Sequence, residues 1–228
     1  MSIPCECSFN MDFSSKIESV ISDPLTIVED VHQLCTLAIA NNFAAICIPP
    51  LFVKKAKEFL AGTTVKVATA VGYPYGYNAI EAKLAEILLA IVDGVDELEM
   101  MINITALKNN DWQYLAQEIN TITKVTKAQH KPLKVCIEAA LLTREEIRMC
   151  CDIYGVATVD AVITSSGFTE HAIAEDVSYI RSCLADTIPV HAFCDGSYKQ
   201  AKEFVEEGAS RIITKNVAML LHEYAALN

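Results

Sequence analysis

Short apolar, β-prone runs recur along this chain, and a stretch long enough for an amphipathic helix separates most of them. They stand near Ile17 to Ile21, Ala44 to Ile48, Val65 to Val71, Asp96 to Ile102, Leu133 to Glu138, Ala157 to Thr164, Ile188 to Phe193 and Arg211 to Thr214. Runs of this length and composition, bounded by polar or turn residues, read as strands. Helices fit Leu25 to Ala40, Ala79 to Ile91, Asp111 to Ala128 and Tyr198 to Glu207; Thr143-Arg-Glu-Glu carries a capping box and Gly208 follows a last helical turn. Alternating strand and helix implies parallel pairing. Eight such units match a single (β/α)8 TIM barrel, somewhat shorter than the usual ~250 residues, with a doubly wound open sheet as the rival. No Pro/Gly/Ser linker divides the chain, so residues 1–228 are read as one domain, with 1–15 expected to be poorly ordered.

At 52% hydrophobic and 21% charged residues, the composition excludes a disordered or low-complexity chain. The longest apolar run, Ile87 to Val92, falls far short of the ~18 residues of a membrane span. The start Met1-Ser-Ile-Pro-Cys-Glu lacks the basic and apolar regions of a signal peptide, so a cytoplasmic protein with no membrane partner is expected. With a net charge of −11 and local basicity only at Lys54, Lys55 and Lys57, the chain is not expected to bind nucleic acid. The nine cysteines are odd in number and scattered through apolar segments, as at Cys35, Cys47, Cys136 and Cys183, which reads as buried free thiols. Cys5 and Cys7 hint at a metal, but no paired cluster or histidine spacing completes a site, so no metal and no cofactor is expected.

In a barrel, ligands bind at the C-terminal ends of the strands. The residues there are Glu18, Cys47, the turn Gly72 to Gly76, Glu99, Glu138, Thr164 to Gly167, His191 to Gly196 and Thr214-Lys-Asn216. Ser165-Ser166-Gly167 and Asp195-Gly196 look like turns whose backbone N–H groups cradle an anion, helped by the helix start after the eighth strand. Glu99 and Glu138 share inward parity with Lys134 and suit a buried ion-paired layer. His191, alternating with Ala192, is expected to face outward as a structural histidine. Tyr73 and Tyr75 flank a proline turn and read as packing.

Five segments carry a specific resemblance: Phe43-Ala-Ala-Ile-Cys-Ile48; Val71-Gly-Tyr-Pro-Tyr-Gly-Tyr-Asn78 with Lys83 on the next helix; Asp93-Gly-Val-Asp-Glu-Leu-Glu99; Leu133-Lys-Val-Cys-Ile-Glu138; and Thr164-Ser-Ser-Gly-Phe168. In order and spacing they resemble the motifs of the deoxyribose-phosphate aldolase family, over roughly residues 17 to 220. The resemblance implies a TIM-barrel class I aldolase, a lyase that joins acetaldehyde to glyceraldehyde 3-phosphate through a lysine Schiff base, and it suggests a homodimer.

The departures from that pattern fall on the chemistry. The family's nucleophilic lysine aligns with Ile163, and its partner lysine with Ala192; an isoleucine cannot form an imine. The family's aspartates align with Glu18 and Glu99, its His-Thr with Ser19-Val20, and its Gly-Thr-Ser-Ser phosphate loop with Ile213-Thr-Lys-Asn216. The expectation is a protein inactive or very weak in Schiff-base cleavage. It would bind a small phosphorylated or anionic ligand at the barrel mouth through Glu18, Cys47, Glu138, Ser165, Ser166, Gly167, Asp195, Gly196 and Asn216. The alternative is an aldolase or lyase acting on a sugar phosphate, with Lys215 as a relocated nucleophile and Glu99 as proton carrier, or with carboxylates and a metal. Without lysines on strands six and seven, Glu18, Glu99 and Glu138 would face Lys134 as the one inward amine. A raised pKa at Glu99, or a bound cation, should then follow.

Overall fold

The computed structural model describes residues 13–227. Eight parallel strands close into a barrel in chain order: β1 (Ile17–Val20), β2 (Ala45–Ile48), β3 (Lys66–Val71), β4 (Glu97–Met101), β5 (Leu133–Cys136), β6 (Ala161–Ile163), β7 (Val190–Phe193) and β8 (Ala209–Thr214). The circle shuts where Glu18 of β1 pairs with Ile213 of β8. Around it lie α1 (Val28–Ala40), α2 (Val53–Phe59), α3 (Ile80–Val92), α4 (Ile104–Lys108), α5 (Trp112–Ala128), α6 (Arg144–Ala157), α7 (Ala174–Cys183), α8 (Tyr198–Glu206) and α9 (Val217–Leu227).

Side chains alternate across each strand, so the barrel has two apolar faces. The outward set, including Ile17, Ile46, Val67, Leu98, Val135, Val162 and Val190, packs with the helices into the main core. Each buried aliphatic side chain contributes roughly 1.5–3 kcal/mol, so this cylinder supplies most of the stabilisation. Inside the barrel a second, smaller cluster joins Met101, Cys136, Ile163, Phe193 and Ile213.

Local chemistry sets the boundaries. The Thr143 hydroxyl accepts the Glu146 N–H at 3.2 Å while the Glu146 carboxylate accepts the Thr143 N–H at 2.7 Å, so the capping box starts α6 as expected. Two strands end or begin elsewhere than the apolar runs suggest. Ala157 still belongs to α6, and Thr158 then turns left-handed at φ 52°, leaving β6 only three residues. Glu138 lies beyond β5, also left-handed at φ 52°. Gly76, at φ +69°, seats the β3 turn against the backbone of Ile102, where a Cβ would meet the carbonyl oxygen at 1.7 Å.

Phe13 to Lys16 form a 3₁₀ turn, and the Phe13 ring is buried against Tyr198 and Tyr224. Part of the segment expected to be poorly ordered is therefore packed; the rest, with Cys5 and Cys7, lies outside the described residues. The described cysteines are free, and all but the half-buried Cys183 are buried. Among the described residues no helix is long and apolar enough to cross a membrane.

Candidate functional site

The lower interior of the barrel is ionic. Lys134 of β5 points inward and its Nζ lies 2.8 Å from both carboxylate oxygens of Glu18 and 3.0 Å from Glu97 Oε2. It also approaches Glu99 Oε1 at 2.6 Å, without the alignment a hydrogen bond requires. Arg211 of β8 donates to Glu18 at 2.8 Å and to Glu97 at 2.6 Å. Burial by itself would raise every carboxyl here. At Glu18, however, Lys134 and Arg211 outweigh it and hold the group well below the usual range, and the same two cations lower Glu97. At Glu99 burial and the neighbouring Glu18 charge prevail and push the pKa up to about 8. The neutral-pH state is therefore balanced, with ionised Glu18 and Glu97 facing Lys134 and Arg211 while Glu99 carries a proton.

Above this layer opens a cavity of about 190 Å³. Glu99 and Cys47 reach it together with Ile163, Phe193, Ile213, Val20 and Ala70, and its outer wall includes Ile48, Pro49, Tyr73, Ser165, Ser166 and Phe168. Glu18, Cys47 and Glu99 place possible metal-ligand atoms within 4.8 Å of one another. The position between the two carboxylates is taken by the Lys134 ammonium, and burial followed by the Glu99 and Glu18 charges drives the Cys47 thiol well above its ordinary pKa. A protonated thiol and carboxylates already sharing an ammonium do not suit a divalent cation.

Two amides at or beside the turns expected to cradle an incoming anion, those of Ser166 and Lys215, already serve carboxylates of this chain. Glu138, swung away from the ionic layer by its left-handed backbone, accepts the Ser166 N–H at 2.6 Å and the Thr169 hydroxyl. Asp195 accepts the Lys215 N–H at 2.7 Å and the Thr214 hydroxyl at 3.3 Å. The hydroxyls of Ser165 and Ser166 accept N–H groups of Ala172 and Phe168, and the Asn216 N–H goes to the Thr214 hydroxyl. Gly167, at φ +75°, lies on the Phe193 ring so closely that a Cβ would sit 2.1 Å from it. A Cβ at Gly196 would sit 1.7 Å from the Gln200 amide oxygen. At the rim, Lys215 Nζ donates to the Gly167 carbonyl at 2.8 Å and stands 4.4 Å over the Phe168 ring. Burial lowers its pKa, opposed by Asp195 and Glu138.

The structure thus gathers Glu18, Cys47 and Glu99 at the floor, Ser165 and Ser166 in the wall, and Gly167, Asp195, Asn216 and Lys215 along one rim. Glu138 is corrected from the ionic layer to the β6 turn. His191 is corrected too: it faces inward, buried, toward Lys134, Arg211 and Glu18, while Ala192 packs in the outer core. An inward amine on β7 would therefore stand at His191, not Ala192. Burial, then the Lys134 and Arg211 charges, depress the His191 pKa well below the usual value, so the ring is neutral. Sequence reasoning missed Glu97 and Arg211; parity with Glu99 and Ile213 was the available signal.

A closed parallel barrel with a cavity at the C-terminal ends of its strands is the architecture of (β/α)8 enzymes. Within that class, the sequence pattern of "DeoC/LacD family aldolase" matches residues 8–148. A deoxyribose-phosphate aldolase of Thermococcus gammatolerans is 39% identical over 90% of this chain and 93% of its own length. One from Ureaplasma parvum is 38% identical over 86% of this chain and 92% of its own. The chain belongs to this aldolase family. Its fold also matches the solved structure of QR15, an aldolase, with a TM-score of 0.88 and 27% identity over 95% of this chain and 97% of the other. The deoxyribose phosphate aldolase of Aeropyrum pernix, described as tetrameric, superposes with a TM-score of 0.87 at 24% identity, covering 95% of this chain and 92% of its own.

Proposed function

We propose that this chain is an aldolase-family barrel that does not form the imine and instead holds a small ligand non-covalently at its mouth. The observation that carries the reading is Ile163, an apolar side chain in the cavity wall where the family resemblance implies the nucleophilic amine. Lys134 does not replace it. Although burial opposes its charge, Glu18, Glu99 and Glu97 raise its pKa, and an ammonium has no lone pair with which to attack a carbonyl. The phosphorylated or anionic ligand of the sequence reading depends on Lys215, whose charge stands at the rim.

A second reading, with Lys215 as nucleophile, draws on its lowered pKa and its place over Phe168, a ring that lines the cavity. Borohydride reduction with acetaldehyde, followed by intact-mass measurement, separates the two. The proposal expects an unmodified chain and cleavage of 2-deoxyribose 5-phosphate at least ~10³-fold below a working class I enzyme. An adduct that disappears in Lys215→Met establishes the second reading. The homodimer belongs to the same proposal, and sedimentation of the purified chain checks it.

A further inference from the structure

Resting on the reading that the cavity holds its ligand without a covalent bond, we infer that this ligand is an uncharged, mainly apolar small molecule without phosphate, comparable in bulk to a substituted six-membered ring. The walls give the first reason. Val20, Ile48, Ile163, Phe168, Phe193 and Ile213 offer hydrocarbon to whatever enters. The size is close to that of the apolar cavity of about 150 Å³ known to accept benzene, since this one measures about 190 Å³.

The second reason lies in the donors. A phosphate is held by several convergent N–H groups. Here the Ser166 and Lys215 amides serve Glu138 and Asp195, and the Phe168 and Asn216 amides serve the Ser166 and Thr214 hydroxyls, which leaves the Gly167 and Gly196 amides of the expected cradle uncommitted to an oxygen of this chain. A phosphate taking the Ser166 or the Lys215 amide would strand a carboxylate beside it, adding repulsion to a lost hydrogen bond. The third reason is the floor. An anion pressed into the cavity would approach Glu99 and, behind it, ionised Glu18, while Lys134 and Arg211 are fully engaged by their own carboxylates. The Lys215 ammonium stays at the rim, bound to the Gly167 carbonyl.

An uncharged ligand leaves a pH signature. The groups facing Glu99 are Glu18 from β1, Cys47 from β2, Tyr73 from the turn after β3, and Lys134 and Cys136 from β5. Glu99 is 3% exposed and meets the cavity with that face, so a ligand covering it removes the remaining water and favours the neutral form. Binding should therefore weaken as pH rises past about 8, where Glu99 ionises, by at most about tenfold per pH unit for one coupled proton.

The experiment titrates the full chain with cyclohexanone by ligand-observed NMR from pH 6 to 10, then adds inorganic phosphate or glyceraldehyde 3-phosphate as competitor. The inference expects cyclohexanone to bind at pH 7, neither phosphate to displace it, and affinity to fall above pH 8. It expects Glu99→Gln, whose amide stays neutral, to bind without that fall. Absence of cyclohexanone binding, displacement by either phosphate, or tighter binding of glyceraldehyde 3-phosphate that Lys215→Ala weakens, each overturns it. A flat wild-type profile overturns the contact with Glu99 even if Glu99→Gln does not fold. Borohydride keeps the two readings apart: a reduced cyclohexanone adduct breaks the non-covalent reading, whereas phosphate preference without an adduct breaks only the ligand class.

Discussion

In the lower barrel Glu18, Glu97, Glu99, Lys134 and Arg211 form a charged layer in which every member touches another, while one step higher Met101, Cys136, Ile163, Phe193 and Ile213 meet without a charge among them. The two layers lie on the same strands, yet they tolerate change differently. A buried ionic layer has to be complete, because removing one partner leaves an unpaired charge with no water to solvate it. An apolar layer needs only volume and shape. The carboxylates of such a barrel can therefore be held in place by folding alone, and their presence does not by itself imply turnover.

The sharpest way to break this comparison is Lys134→Met. It strands ionised Glu18 and Glu97 beside Arg211 alone, and a loss of about 3–5 kcal/mol is expected from urea denaturation at pH 7. A loss below about 1 kcal/mol would show that the layer is not a folding element.

Next is the pH dependence of stability. The folded pKa of Glu99, about 8, lies above the ordinary value of about 4.3, so its contribution is complete below that value and drains away as pH rises to about 8. The limiting slope is about 1.4 kcal/mol per pH unit. Glu18 and Glu97, with lowered values, act oppositely: their contribution is present above the ordinary carboxyl range and is lost on acidification. Urea midpoints between pH 3 and 9 should thus peak in the weakly acidic range. Glu99→Gln should flatten the alkaline limb and spare the acid limb.

In the upper layer, Ile163→Val should cost only about 1 kcal/mol, the ordinary loss for one buried methylene. A cost rivalling that of Lys134→Met would erase the distinction between the layers. The smallest effect belongs to the rim. Lys215→Met keeps an apolar stem over Phe168 and forfeits one hydrogen bond and one cation–π contact, for about 1 kcal/mol or less by thermal or urea unfolding.

Most of the frame could be read from residue patterns. Eight apolar runs marked eight strands, and the segment around Thr164 to Phe168 located Ile163 on the cavity side. The unpaired excess of inward carboxylates pointed to a neutral Glu99. Parity failed where a strand stops: Glu138 stands past the end of β5, so counting by twos no longer described it. On β7 the alternation holds, with Val190 and Ala192 in the outer core and Phe193 in the inner cluster, and His191 was misplaced because Ala192 had been aligned with an inward lysine. The carboxylates that hold the Ser166 and Lys215 amides were not legible either. Whether the Ser166 amide is free depends on a carboxylate 28 positions earlier, and the Lys215 amide depends on one 20 positions earlier. Local composition does not encode such distances.

The bond between Arg211 and Glu18 joins residues 193 positions apart, and it has a consequence for the order in which the chain assembles. Glu18 and Glu97 are waiting before β8 exists, with Lys134 as the inward cation for three carboxylates. Such a partial barrel is underneutralised at its centre and gains by staying open to water. Arrival of the last strand supplies the second positive charge and the closing strand pair at once, so neutralisation and closure coincide. Contacts of such long sequence separation slow folding, and the ionic layer includes one of them, a bond that ties the first strand to the last.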